Sequence, residues 1–228
     1  MKPSPRWRSV LGLAVIAIVI VVAWVALTPR PPVRRAPRYD DPNLLLLDDF
    51  SNVESGWDSY SDLEKTLNYD NGQYVIALDV LDKIVWATPQ LDFTNVKFDV
   101  DTAYFAGPVN NEFGVMCRYT QQGEAHSFYF FVISSDGYYA LGKVIQNKRT
   151  ILDPADYALS AAIKLGETDI NHLTATCDGS QMSLAINGAP VGAFQDTELT
   201  HGDVGLLAGT FDEAGVKIHF DNVEVRRP

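Results

Sequence analysis

Through most of the chain, apolar residues recur at every second position in short runs. In "FDVDTAYF", Phe98, Val100, Thr102 and Tyr104 fall on one face of a strand, and Asp99 and Asp101 on the other. The same period predicts strands at Leu44–Phe50, Gly72–Val80, Ile84–Pro89, Val96–Phe105, Glu112–Tyr119, Ser127–Ser134, Tyr138–Ile145, His172–Cys177, Met182–Ile186, Val191–Phe194, Val204–Thr210 and Val216–Arg226. Turn signals separate them: "DNG" at 70–72, "SDG" at 135–137, "CDGS" at 177–180, "NG" at 187–188 and "DEAG" at 212–215. Asn-Gly and Asp-Gly accept the positive φ angles that tight hairpins require. "SFYFFVIS" (127–134) is apolar on both faces, as expected of a central strand covered on both sides. Only "LDPADYALSAAIKLG" (152–166) has a helical spacing, read as one or two turns within a decorated loop. The pattern predicts an all-β, two-sheet antiparallel sandwich or barrel over residues 44–228.

The N-terminal pattern is of another kind. Val10–Leu27 carries no charge, and at about 1.5 Å per residue it reaches roughly 27 Å, close to the thickness of a bilayer core. This predicts one transmembrane helix at 10–27, after a short basic tail at 1–9. A signal peptide has a shorter apolar core and ends in small residues, and here bulky Trp24 spoils the nearest cleavage-like site. An uncleaved anchor is therefore favoured over cleavage. Residues 28–43, with five prolines, read as a stiff Pro/Arg-rich stalk. Basic residues flank both ends of the span, so charge bias alone does not orient it. A short tail before a single span favours an inside N-terminus and an extracytoplasmic C-terminal domain. The basic residues after the span could also rest against anionic headgroups.

Charge divides the chain at the same place. Seven of the 18 basic residues precede residue 40, so residues 40–228 keep eleven against all 29 acids, a formal charge of −18. So acidic a domain repels nucleic acid and anionic lipid, which argues against both as its ligands. Cys117 and Cys177 are the only cysteines. Each ends an alternating apolar row, so they are read as two separate core thiols, with one disulfide left open.

"DGYYALGK" (136–143), "LTATCDGSQMSLAINGAPVGAF" (173–194), "GDVGLLAGTF" (202–211) and "FDNVEV" (220–225) together resemble the concanavalin A-like lectin and glucanase superfamily. The likeness is strongest to its laminin G-like branch and to the domain of 3-keto-disaccharide hydrolases. It implies a jelly roll whose concave face is often the ligand surface. Catalytic members resembling family 16 glycoside hydrolases carry three acids as E-x-D-x-E along one strand. "ETDIN" (167–171) comes nearest, but Asn171 stands where the proton donor belongs, and an amide cannot supply that proton.

Other candidate chemistry is sparse. Asp99 and Asp101, about 6.5 to 7 Å apart along a strand, fall within the range glycoside hydrolysis uses. Their place opposite the aromatic row reads as a solvated outer face. Glu112 is a lone acid in its strand, and His126, His172, His201 and His219 are scattered without zinc-ligand spacing. No cofactor is expected, except that Asp48, Asp49, Asp221 and Asn222 could hold calcium if the terminal strands pair. Among the many aromatic residues, Trp57, Tyr138 and Tyr139 are the candidate ligand or partner contacts. The expectation is a membrane-anchored, non-catalytic recognition or scaffolding domain, in one form an accessory subunit bound to other membrane-complex proteins. A surface carbohydrate-binding module that takes glycans is the alternative, and a glycosidase or keto-sugar hydrolase comes third.

Overall fold

The computed structural model describes residues 41–228; the expected tail, span and most of the stalk lie outside the described residues. The described residues contain no helix and form two antiparallel sheets packed face to face. The larger sheet holds β1 (Leu44–Asp48), β2 (Tyr60–Ser61), β3 (Lys65–Asp70), β4 (Gln73–Leu78), β6 (Val96–Ala106), β11 (Ile170–Asp178), β12 (Gln181–Ile186), β13 (Ala189–Gln195) and β15 (Val216–Arg226). The smaller holds β5 (Lys83–Ala87), β7 (Asn111–Gln122), β8 (Ala125–Ile133), β9 (Tyr138–Ile145), β10 (Lys148–Leu159) and β14 (Asp203–Thr210). The order in the larger sheet is β13-β12-β11-β6-β15-β4-β3-β2, and in the smaller β10-β9-β8-β7-β14-β5. β15 is long enough to serve two neighbours on one side. Its Val216–Phe220 half pairs with β4, and the Val223–Arg226 end pairs with β1.

Every strand expected from the period-two pattern is present, with ends moved by a few residues. The expected turns also close hairpins. Asn71 and Gly72, both at positive φ, join β3 to β4, and Asn187 and Gly188 join β12 to β13. β2, β3 and β10 were not expected. In place of a helical turn at 152–166, β10 runs along β9 and breaks register between Asp153 and Ala158. Pro154 and the acids beside it lie in that break, and the four residues that leave the ladder gave the stretch its non-strand look.

The core between the sheets takes the inward rows: Phe98, Val100 and Tyr104 from β6, Ile218 and Phe220 from β15, Phe113 and Val115 from β7, and Tyr129, Phe131 and Ile133 from β8. Two readings are corrected here. Cys117 and Cys177 are joined by a disulfide, not separate thiols, because the inward row of β7 meets that of β11 across the sandwich. Trp57 belongs to the core. It is 4% exposed, packs edge-on against Phe50, and gives its indole N–H to Asp48 Oδ2 at 2.9 Å, so no face is left for a ligand.

Candidate functional site

The outer face of the smaller sheet is apolar as well. Met116, Phe128, Phe130, Val132, Ala140 and Leu207 form a second buried cluster there. This agrees with β8 being apolar on both sides, although the cover comes from the same sheet's edge. Arg149, on edge strand β10, lies with its guanidinium 4.3 Å from the ring centre of Phe130. From there it grips Glu112 of β7 with two hydrogen bonds, Nη1 to Oε1 at 2.6 Å and Nη2 to Oε2 at 2.7 Å. Tyr157, from the register break of β10, donates its hydroxyl to Glu112 Oε2 at 2.7 Å and accepts from Arg149 Nη2 at 2.9 Å. β10 and β7 are separated by β9 and β8, about 14 Å in a flat sheet. Contact across that gap requires the sheet to curl toward this face, which is therefore concave. The close approach is helped by Gly209, where a Cβ would lie 3.0 Å from Glu112 Cγ.

Beside this clamp, at the end of the face where three turns gather, lies a cavity of about 730 Å³. Tyr138, Tyr157 and Phe211 supply its rings, with Tyr157 and Phe211 edge to face at 6.1 Å. Asp136, from the β8–β9 turn, and Asp212, from the β14–β15 turn, supply carboxylates, and Asn110 an amide. Ser134 Oγ donates to Asp136, and Asn110 Nδ2 donates to Asp212 Oδ1 at 2.9 Å. Asn111, fully buried, binds Pro108 O at 2.7 Å and the Ser135 amide at 3.0 Å, fixing the loop before β7 to the β8–β9 turn.

Of the expected contacts, Tyr138 lines this cavity. Tyr139 turns inward, packs on the core and donates its hydroxyl to Val191 O at 2.8 Å. The two neighbours do face opposite sides, and one of them reaches the cavity. Asp136 and Asp212 were visible in the sequence only as turn residues. Tyr157, Phe211 and the Glu112–Arg149 pair gave no signal, because the register that unites them joins strands distant in sequence.

Asp99 and Asp101 lie on the outer face of the other sheet, as expected, but they are not merely solvated. His172 of β11 stands opposite Asp101 and reaches Asp101 Oδ1 with Nδ1 at 2.8 Å and Asp99 Oδ1 with Nε2 at 3.3 Å. The hydrogen bond to Asp101 and then that to Asp99 push His172 up to about 9, so it is an imidazolium at neutral pH. Partial burial pushes both carboxyls up, but the His172 bonds, with Thr174 on Asp99 and Asn222 on Asp101, hold both below the usual carboxylate range. That is the opposite of what a proton donor needs. The reading of His172 as an isolated histidine is thereby corrected.

The terminal strands do pair, as calcium binding would require, with Asp48 opposite Val223. Asp48, however, points into the core and accepts the Phe50 amide and the Trp57 indole, whereas Asn222 reaches outward to Asp101. Among the described residues, no three His, Cys, Asp or Glu side chains gather as metal ligands. In "ETDIN", Asn171 is buried and spends its amide on both backbone groups of Lys164, where it holds a loop.

No protein-family model matches the chain, and no curated protein matches it. Solved structures do. The carbohydrate-binding module CBM66 from Bacillus subtilis is similar with a TM-score of 0.59 at 12% identity, over 75% of this chain and 96% of that one. A Bacillus subtilis protein of unknown function with a galectin-like fold gives 0.62 at 10%, over 81% and 96%. The Bacillus licheniformis beta-glucanase gives 0.55 at 10%, over 82% and 100%. The fold is thus similar to that of such binding modules and glucanases. At these identities the likeness shows fold alone.

Proposed function

We propose that this protein is a non-catalytic glycan-recognition domain displayed from a membrane tether, and that it takes a neutral, hydroxyl-rich sugar in the Tyr138–Tyr157–Phe211 cavity. The observation that carries this reading is the cavity's pairing of ring walls with fixed acceptors. Flat aromatic faces suit the apolar face of a pyranose, and Asp136 and Asp212 can accept its hydroxyl protons. Their charge disfavours an acidic sugar at this place. The kinship of fold with a carbohydrate-binding module supports the reading by analogy.

Three arrangements support a non-catalytic role. Both oxygens of Glu112, the buried acid of the concave face, are held by Arg149 and Tyr157. Asp99 and Asp101 are held ionised by His172, and Asn171 cannot donate a proton from the third acid position. The Cys117–Cys177 disulfide supports an oxidising, extracytoplasmic setting. No structural observation favours the accessory-subunit form, and the glycan reading is preferred to it.

The test is a glycan array followed by titration of the best neutral oligosaccharide. Tyr138→Ala and Phe211→Ala are expected to weaken binding at least tenfold while leaving the fold intact by circular dichroism. An array without neutral hits, or unchanged affinity in both variants, would overturn the reading. Release of reducing ends that disappears in Asp136→Asn or Asp212→Asn would make the protein an enzyme.

A further inference from the structure

A second cavity, about 650 Å³, lies at the opposite end of β8 and differs in charge. Its floor is Trp86 of β5. The indole is held on three sides, with ring centres 4.9 Å from His126, 5.5 Å from Phe128 and 6.0 Å from Tyr119, which leaves a rigid platform. The Asn147 side chain accepts the His126 amide at 2.8 Å and so fixes the neighbouring wall. Lys65 and Lys83 line the same cavity from the inter-sheet side of β3 and β5, around the edge of the strand that carries Trp86. Among the described residues neither takes part in a salt bridge; Lys65 instead lies 5.0 Å from the ring centre of Tyr60. Asp58, the one acid of the lining, is turned to the adjacent loop. Its Oδ2 accepts the Thr88 amide at 2.9 Å and Oδ1 accepts Gln90 Nε2 at 3.0 Å.

Two lysines beside an indole, neither in a salt bridge among the described residues although Asp62 lies within electrostatic reach of Lys65, are notable in a domain with eleven basic residues against 29 acids. Composition alone would place acids there. A bare anion would need neither the platform nor so large a volume, whereas a neutral sugar would leave both cations unanswered. We infer that this cavity binds an acidic sugar residue of the uronic acid class, with its ring stacked on Trp86 and its carboxylate between Lys65 and Lys83. The site shares no lining residue with the Tyr138 cavity, although Lys83 pairs with Thr210, the residue before Phe211. Its failure therefore leaves the function proposed above untouched.

The experiment uses the full chain in phosphatidylcholine nanodiscs, with ligand-detected saturation-transfer NMR of glucuronic acid, glucose, inorganic phosphate and AMP. Glucuronic acid is expected to bind at least tenfold more tightly than glucose. Lys65→Gln/Lys83→Gln is expected to remove that preference and Trp86→Leu to abolish glucuronic acid binding, all compared in the Tyr138→Ala background so that neutral sugar held in the other cavity does not enter the measurement. Lys83 is exposed and Lys65 half-buried, and neither belongs to the core, so their variant keeps the test valid should Trp86→Leu fail to fold. Equal binding of glucose, binding unaffected by the lysine changes, or no binding of glucuronic acid would each overturn the inference. So would phosphate or AMP binding as tightly as glucuronic acid, since that would mark a plain anion or nucleotide site.

Discussion

Glu112 shows how much one buried carboxylate can depend on its neighbours. Its side chain is 1% exposed, and both oxygens are saturated by Arg149 and Tyr157. Removing one partner of such a pair leaves an unmatched charge in the interior. Glu112→Gln is therefore expected to lower stability by roughly 3–5 kcal/mol, while Glu112→Leu with Arg149→Met recovers most of that loss. Urea denaturation of the two variants checks this; equal losses in both would refute it. His172 supports a prediction of opposite exposure. Its folded pKa, about 9, is raised above the ordinary value of 6.5, so the stabilisation is complete below pH 6.5 and lost as pH rises through 9. Thermal melts of the wild type should fall across that window, and those of His172→Asn should fall less. Neither cluster could be read from the sequence. Glu112 and Arg149 lie 37 positions apart and Asp99 and His172 lie 73 apart, so only strand register brings them together. By contrast, the outward direction of Asp99 and Asp101 was readable, because alternation along one strand is a local property.

The elements themselves were legible wherever the alternation ran unbroken. β6, β8 and β15 follow from it directly, and Asn71-Gly72 announces its hairpin. β10 was missed because Pro154 and its flanking acids interrupt the pattern where the strand leaves its ladder, and β3 because its short run is mostly polar. That break in β10 also projects Tyr157 over the sheet, so the least strand-like stretch supplies a wall of the candidate site. Gly72 stands at φ +75°, where a side chain is strained, so Gly72→Ala is expected to cost about 1–2 kcal/mol in chemical denaturation. The disulfide ties β7 of one sheet to β11 of the other across 60 residues of chain. Its loss is expected to cost roughly 4 kcal/mol by loop-closure entropy, seen as a lower melting temperature in Cys117→Ala/Cys177→Ala. The pairing escaped the sequence reading because two inward-facing rows look alike whether or not they meet.

At the scale of the molecule, an acidic sandwich carries two cavities of opposite electrostatic character at the two ends of one strand. Composition foretold the acidity but not the local reversal around Lys65 and Lys83, which depends on how the starts of β3 and β5, from different sheets, converge. The proposed tether makes its own prediction. The full chain should stay with membranes through alkaline carbonate washing, and protease added to intact cells should remove residues 44–228; release into the wash would contradict an anchor. A last consequence follows from β1 lying beside the end of β15, with the Arg227 amide bonded to Asn43 O at 2.8 Å. The polypeptide enters and leaves this domain through a single doorway, so a short Gly-Ser splice from Pro228 to Asn43, with new ends opened at exposed Leu63, should yield a rearranged chain that still reaches the native state.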